Sequence, residues 1–75
     1  VSQIHEDPAV VVAEACKLLR DPKVWLRNIA AQTLGLLGPK TKDALPDLHD
    51  ALFDENEQVR WSVEEAIRNI TRRET

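Results

Sequence analysis

Residues 21–38 read DPKVWLRNIAAQTLGLLG, and the rest of the chain is organised around this stretch. Asp21-Pro22 is the punctuation of a helix start, since the carboxylate can accept orphan amide protons and proline suits a first helical position. Leu26, Ala30, Leu34 and Leu37 then recur at helical spacing and mark a core face. Gly38-Pro39 supplies a residue tolerant of positive φ and then a breaker, so the spacing predicts a helix ending at about Leu37.

Asp7-Pro8 repeats the opening upstream and predicts a first helix from Pro8 to about Arg20. Val11, Val12, Ala15, Leu18 and Leu19 form its apolar face, with Val10 alone on the polar side. After a loop over residues 38–42, a third helix is expected from about Asp43 to Phe53, burying Leu45, Leu48 and Leu52 and exposing Asp47 and Asp50. Pro46 falls in its first turn, where a missing N–H costs little. A fourth helix, capped by Asp54 with Glu57 or by Asn56, ends near Arg72 and buries Val59, Val63, Ala66, Ile67 and Ile70. Connections this short make antiparallel hairpins. The fold class is therefore all-α, one domain over residues 1–75, with repeat 1 over about 8–38 and repeat 2 over about 43–72.

A shift of 33 residues (54 − 21, 60 − 27, 52 − 19) superposes Asp21 on Asp54, Arg27 on Arg60 and Leu19 on Leu52. A period of this size signals a solenoid. Through Asp21…Leu26-Arg27-x-x-Ala30-Ala31-x-x-Leu34-Gly35 and Asp54…Val59-Arg60 the chain resembles the HEAT-repeat family, in particular its short bacterial-type, phycobilisome-lyase-like repeats. The resemblance covers most of the chain as two repeats and implies hairpins stacked as a short right-handed α-solenoid. It further implies a ladder between the Asp of one repeat and the Arg of its neighbour, so that Asp21 meets Arg60, while Arg27 takes Glu6, Asp7 or a repeat outside the sequence. These four residues, Asp21, Arg27, Asp54 and Arg60, are expected to be structural. In the second copy Val63-Glu64 replaces the paired alanines and Ile67-Arg68 replaces Leu-Gly, a larger and more polar surface that opposes close packing of a following repeat.

Beside its core stripe the second helix carries Trp25, Ile29, Gln32 and Leu36; the equivalent flank of the fourth is Gln58, Ser62, Glu65 and Asn69. If that flank faces the following repeat, the second helix buries it against the fourth, and the fourth turns its polar version to water as a C-terminal cap. The N-terminal end, with Ile4, Val10 and Val11, shows no such polar finish. That face is expected to meet an upstream repeat or a second copy of the chain. The initial Val in place of Met suggests a processed or excised piece.

Hydrophobic residues at 43% and charged residues at 31% place the 75-residue chain in the globular range. A net charge of −3 gives no electrostatic reason to seek nucleic acid or an anionic membrane. The longest uncharged run, Asn28 to Pro39, is too short to span a bilayer, and nothing at the N-terminus has the layout of a signal peptide. Cys16 cannot form an internal disulfide and is expected as a small buried hydrophobe. These features favour a soluble, cytoplasmic protein.

No constellation for catalysis, metal or cofactor emerges. His5 and His49 lie apart in the repeat pattern without a second ligand at helical spacing, and phosphate loops and nucleophile elbows are missing. Glu64 and Glu65 diverge by 100° on a helix and cannot flank one bond. Arg68, Arg72 and Arg73 suit a helix C-terminus, and Asn69-Ile70-Thr71 matches a glycosylation sequon on a helix, where it reads as chance. Trp61 stands opposite the core with Arg68 and Arg72 on its face, the composition of an interface anchor, although it could also pack sideways over Arg60. The resemblance puts the second helix of each pair on the concave surface, hence Asn28, Gln32, Trp61, Glu65, Arg68 and Arg72 as partner-binding residues. The expected function is a non-catalytic protein-interaction or scaffold module without cofactor. The alternatives are part of a HEAT-like enzyme such as a bilin lyase, and a self-assembling or engineered repeat fragment.

Overall fold

The computed structural model describes residues 8–72. Four α-helices follow in order: α1 (Pro8–Leu18), α2 (Val24–Leu37), α3 (Leu45–Ala51) and α4 (Glu57–Thr71), with a 3₁₀ segment, Gly38–Ala44, between α2 and α3. They form two antiparallel hairpins, α1–α2 and α3–α4, and α4 packs along α2. The shortest dimension of the Cα envelope is 16 Å. That suits two helical layers at an interaxial distance of about 8 to 10 Å. A slab of this kind has one plane of core side chains between its layers. Val12, Ala15 and Leu19 enter the plane from α1 and its end, Ala30, Ala31 and Leu34 from α2, Leu48 from α3, and Val59, Val63, Ala66 and Ile70 from α4. The flanking apolar positions Val11, Leu18, Leu26, Leu37, Leu45, Leu52 and Ile67 are half-buried at its margins.

Local chemistry sets the helix ends. The Asp21 carboxylate accepts the N–H of Lys23 at 2.9 Å, and this turn delays α2 to Val24, so Pro22 precedes the helix rather than opening it. α1 stops at Leu18 because the N–H groups of Arg20 and Asp21 bond to the i−3 carbonyls of Lys17 and Leu18. Gly38 takes φ 66°, a region costly to side chains with a Cβ, and its N–H caps the Leu34 carbonyl. The expected loop over residues 38–42 is instead wound, with a kink at Thr41. Thr41 is buried, and its hydroxyl is 2.9 Å from the Gly38 carbonyl and 3.3 Å from that of Leu34, satisfying the exposed end of α2. This tight winding shortens the third helix, which begins two residues later than expected at Leu45 and holds Pro46 in its first turn. Asn56, not Asp54, caps α4, accepting the N–H of Val59 at 3.0 Å.

The expected burial of the α2 flank is overturned. Trp25 is 59% exposed, Ile29 45% and Leu36 88%. The flank is not packed beneath α4: Ile29 lies toward α1, while Gln32 and Leu36 stay open beside α4, and the equivalent flank on α4 faces toward α2, with Ser62 buried there and Asn69 half-buried. The direction of stacking is therefore the reverse of the expectation. The C-terminal face is made of the exposed residues Glu57, Trp61, Glu64 and Arg68 instead of Gln58, Ser62, Glu65 and Asn69. It is polar all the same, by a different set of side chains. Expectations placed on Ile4, His5, Glu6, Asp7 and Arg73 lie outside the described residues.

Candidate functional site

The seam between α2 and α4 is built on small residues. A Cβ added at Gly35 would lie 3.1 Å from the Cα of Ala66 and 3.4 Å from its Cβ, closer than an ordinary contact between helices. Ala31 is wholly buried beside it. One turn earlier the Ser62 hydroxyl donates to the Asn28 side-chain oxygen, a polar pair that fixes the register of the two helices. Asn28 was expected on the open concave surface and is instead half-buried in the seam, because the small residues at positions 31 and 35 bring α4 close enough to reach it.

Above this seam the two helices diverge and leave a groove of about 300 Å³, floored by Ala31, Gly35, Ser62 and Ala66 and walled by Gln32 and Leu36 on one side and Trp61 and Glu65 on the other. Trp61 is 60% exposed on its wall of the groove. Glu65 accepts from Arg68 at 2.5 Å on the same helix, which orients the carboxylate along the groove wall. Of the expected partner-binding residues, Gln32, Trp61 and Glu65 therefore converge, and Arg68 adjoins them. Arg72 stands apart, beside Pro39 and Asn69 at the end of the slab. Leu36 is the groove residue that sequence reading missed, since its flank was assigned to the interior. Its equivalent in the second repeat, Asn69, is polar, a sign that position 36 is not a core position.

On the opposite edge runs the charged network. Arg27 Nε donates to Asp54 Oδ2 at 2.7 Å and Nη2 to Oδ1 at 3.2 Å, a bidentate pair with side chains only 11% and 10% exposed. Arg27 Nη1 also donates to the carbonyls of Asp21 and Pro22, at 2.8 and 3.1 Å. Arg60 repeats the local half of this pattern, donating to the Asp54 carbonyl at 2.7 Å. The expected Asp21–Arg60 pair is thus corrected: the arginine of the first repeat reaches forward to the aspartate of the second. The reason is positional, because Arg27 lies in the first turn of α2 beside the turn that precedes α4, while Arg60 extends over its own turn.

Cys16 is half-buried in a third cluster. Burial, then a hydrogen bond to Asp47, raises its thiol from 9.0 to about 11, and Asp47 in turn accepts from Arg20 at 3.0 Å. Such a thiol stays protonated at neutral pH and lacks the thiolate character of a reactive cysteine. Among the described residues no group of three or more His, Cys, Asp and Glu side chains could hold a metal, and no helix is long and apolar enough to cross a membrane. Asn69 of the sequon packs in the seam near Gly35.

The model of the HEAT repeats matches residues 5–75. No curated protein and no solved structure matches the chain. With the Gly35–Ala66 seam, the paired hairpins and the forward Arg27–Asp54 contact all lying within the matched residues, the chain belongs to the HEAT-repeat family.

Proposed function

We propose that this chain is a non-catalytic protein-interaction or scaffold module, working in the cytoplasm, whose contact surface is the groove between α2 and α4. The observation that carries the reading is the pairing of exposed Trp61 and Leu36 across a groove with a floor of small residues. An indole and an isobutyl group held on two packed helices offer apolar area at low cost in ordering, and Gln32 and Glu65 supply polar contacts at the rim. The groove suits an apolar side chain of a partner protein better than a charged ligand, since Glu65 is already engaged by Arg68. Arg27 and Asp54, nearly buried, are paired with each other and lie outside the groove.

The test is capture from the source lysate by the wild-type chain and by Trp61→Ala, both shown to be helical by circular dichroism. Retention of a protein by wild type and its loss from the variant is expected, and in a purified pair the loss should amount to about 2 kcal/mol, roughly thirtyfold in Kd. Equal retention by both would move the contact surface away from the groove.

A further inference from the structure

The groove between α2 and α4 does not stop at Trp61 and Leu36. Past Trp61 it continues into a cavity of about 410 Å³ against Asn56, Glu57 and Gln58 at the start of α4. Past Gly35 and Asn69, which wall both, it continues into one of about 200 Å³ against Gly38, Pro39 and Arg72 at the end of that helix. Glu57, Trp61, Glu65, Asn69 and Arg72 recur at helical spacing, so a single face of α4 walls the whole trough. At a rise of 1.5 Å per residue the trough is about 22 Å long.

Its charges are sorted along that length. Glu57 at one end and Arg72 at the other are exposed and without an ion-pair partner among the described residues, and exposed Lys40, next to Pro39, adds to the positive end. Each end charge sits on the helix terminus of opposite sign, whose partial charge of about one half reduces it without cancelling it. In the middle, the carboxylate of Glu65 is matched by Arg68, and the apolar surface of Trp61 and Leu36 is confined to this part. The side-chain amides of Gln32 and Asn69 line the same part and hold no hydrogen bond among the described residues. A helix laid in the trough needs an apolar contact at every turn, which the two polar ends do not offer. An extended segment advances about 3.3 Å per residue, so about seven residues span the trough, and its peptide groups can pair with the two free amides.

We propose that the trough takes an extended segment of a partner protein, about seven residues long, with a Lys or Arg beside Glu57, apolar side chains over Trp61 and Leu36, and an Asp or Glu beside Arg72. Side chains on one face of an extended segment alternate, so these are its first, third, fifth and seventh residues, read in either chain direction. The proposal rests on the groove reading above and adds the conformation, length and charge order of the occupant. A polybasic or polyacidic segment suits only half of such a trough.

The probe is a library of random 16-residue peptides displayed on phage. It is selected against the full chain and, in parallel, against Trp61→Ala, Glu57→Lys and Arg72→Glu, all shown to be helical by circular dichroism. Peptides enriched by the full chain are expected to carry a basic and an acidic residue at the two ends of a stretch of about seven, with apolar residues alternating between them. Glu57→Lys should enrich an acidic residue in place of the basic one, Arg72→Glu a basic residue in place of the acidic one, and Trp61→Ala none of these peptides. An enriched peptide, synthesised with both termini blocked and labelled for anisotropy, should bind either charge-reversed chain about fivefold more weakly, the worth of an exposed ion pair. Reversing the matching charge of the peptide should restore the affinity, which only a folded trough can do.

Peptides enriched for apolar residues alone, or with charges that ignore both reversals, overturn the proposal; their loss with Trp61→Ala would leave the groove reading standing. Apolar residues enriched at intervals of three and four would make the occupant a helix and overturn it as well. No enrichment by the full chain overturns the extended segment and leaves the groove to a folded partner surface. Equal enrichment of the same peptides by Trp61→Ala overturns both readings.

Discussion

Arg27 and Arg60 occupy the same place in successive repeats but differ in what they hold. Both brace the turn before their helix through a backbone carbonyl, and Arg27 alone also carries a buried carboxylate pair. Arg27→Ala takes away both guanidinium bonds of the Asp54 carboxylate, which is one-tenth exposed in the intact pair, and leaves it only the Asn56 N–H. Breaking one side of a buried pair costs about 3 to 5 kcal/mol, whereas the single carbonyl contact of Arg60 is worth about 1.5 kcal/mol. Urea unfolding of the two alanine variants should therefore separate them clearly, with Arg27→Ala losing most of the stability expected of so small a domain, and equal losses would show that the forward pair contributes nothing of its own. The sequence makes the repetition of Asp and Arg plain. It cannot give the direction of pairing, because two aspartates and two arginines at one period permit either connection, and only the position of α2 relative to the turn before α4 selects one.

At the scale of elements, the close approach of α2 and α4 depends on Gly35. The Ala66 Cα already stands 3.1 Å from where a Cβ would be, so a side chain there must move backbone rather than the flexible end of a neighbour. Gly35→Ala balances a helix-propensity gain of about 1 kcal/mol against that contact, but Gly35→Leu has no such balance and is expected to destabilise by about 1 to 3 kcal/mol. Thermal unfolding reads the change, and loss of the Ser62–Asn28 pair in the same variant would be visible as faster solvent exchange of the Ser62 hydroxyl proton, the one donated in that pair. Most of the helices and their core stripes were legible from spacing, since Ala30, Leu34, Leu48, Val59, Val63 and Ile70 all fall in the core plane. The helix ends were less so: Asp21 spends its carboxylate on a turn, and the stretch after Gly38 winds around buried Thr41, choices made by local hydrogen bonds that apolar periodicity does not register.

For the whole molecule, the two tryptophans report the direction of stacking. Trp25 and Trp61 lie on different helices, and both are more than half exposed. Single-tryptophan chains made with Trp25→Phe or Trp61→Phe should each emit as a solvent-exposed indole and be quenched readily by iodide; a protected Trp25 would restore the burial of its flank and contradict the present arrangement. The sequence by itself determined the helical class, the two-hairpin repeat, its period and the main core stripe of each helix, because apolar side chains at helical spacing have one economical way to leave water. It also carried the polar surface that α4 turns away from α2, in the exchange of Ala31 and Gly35 for Glu64 and Arg68. Which flank of α2 meets α4, which arginine meets which aspartate, and whether Asn28 faces a partner or a neighbouring helix were decided only by tertiary structure. A helix wheel fixes angles within one helix and leaves free the side on which the next one lands, and here that side is set by the 3.1 Å approach at Gly35.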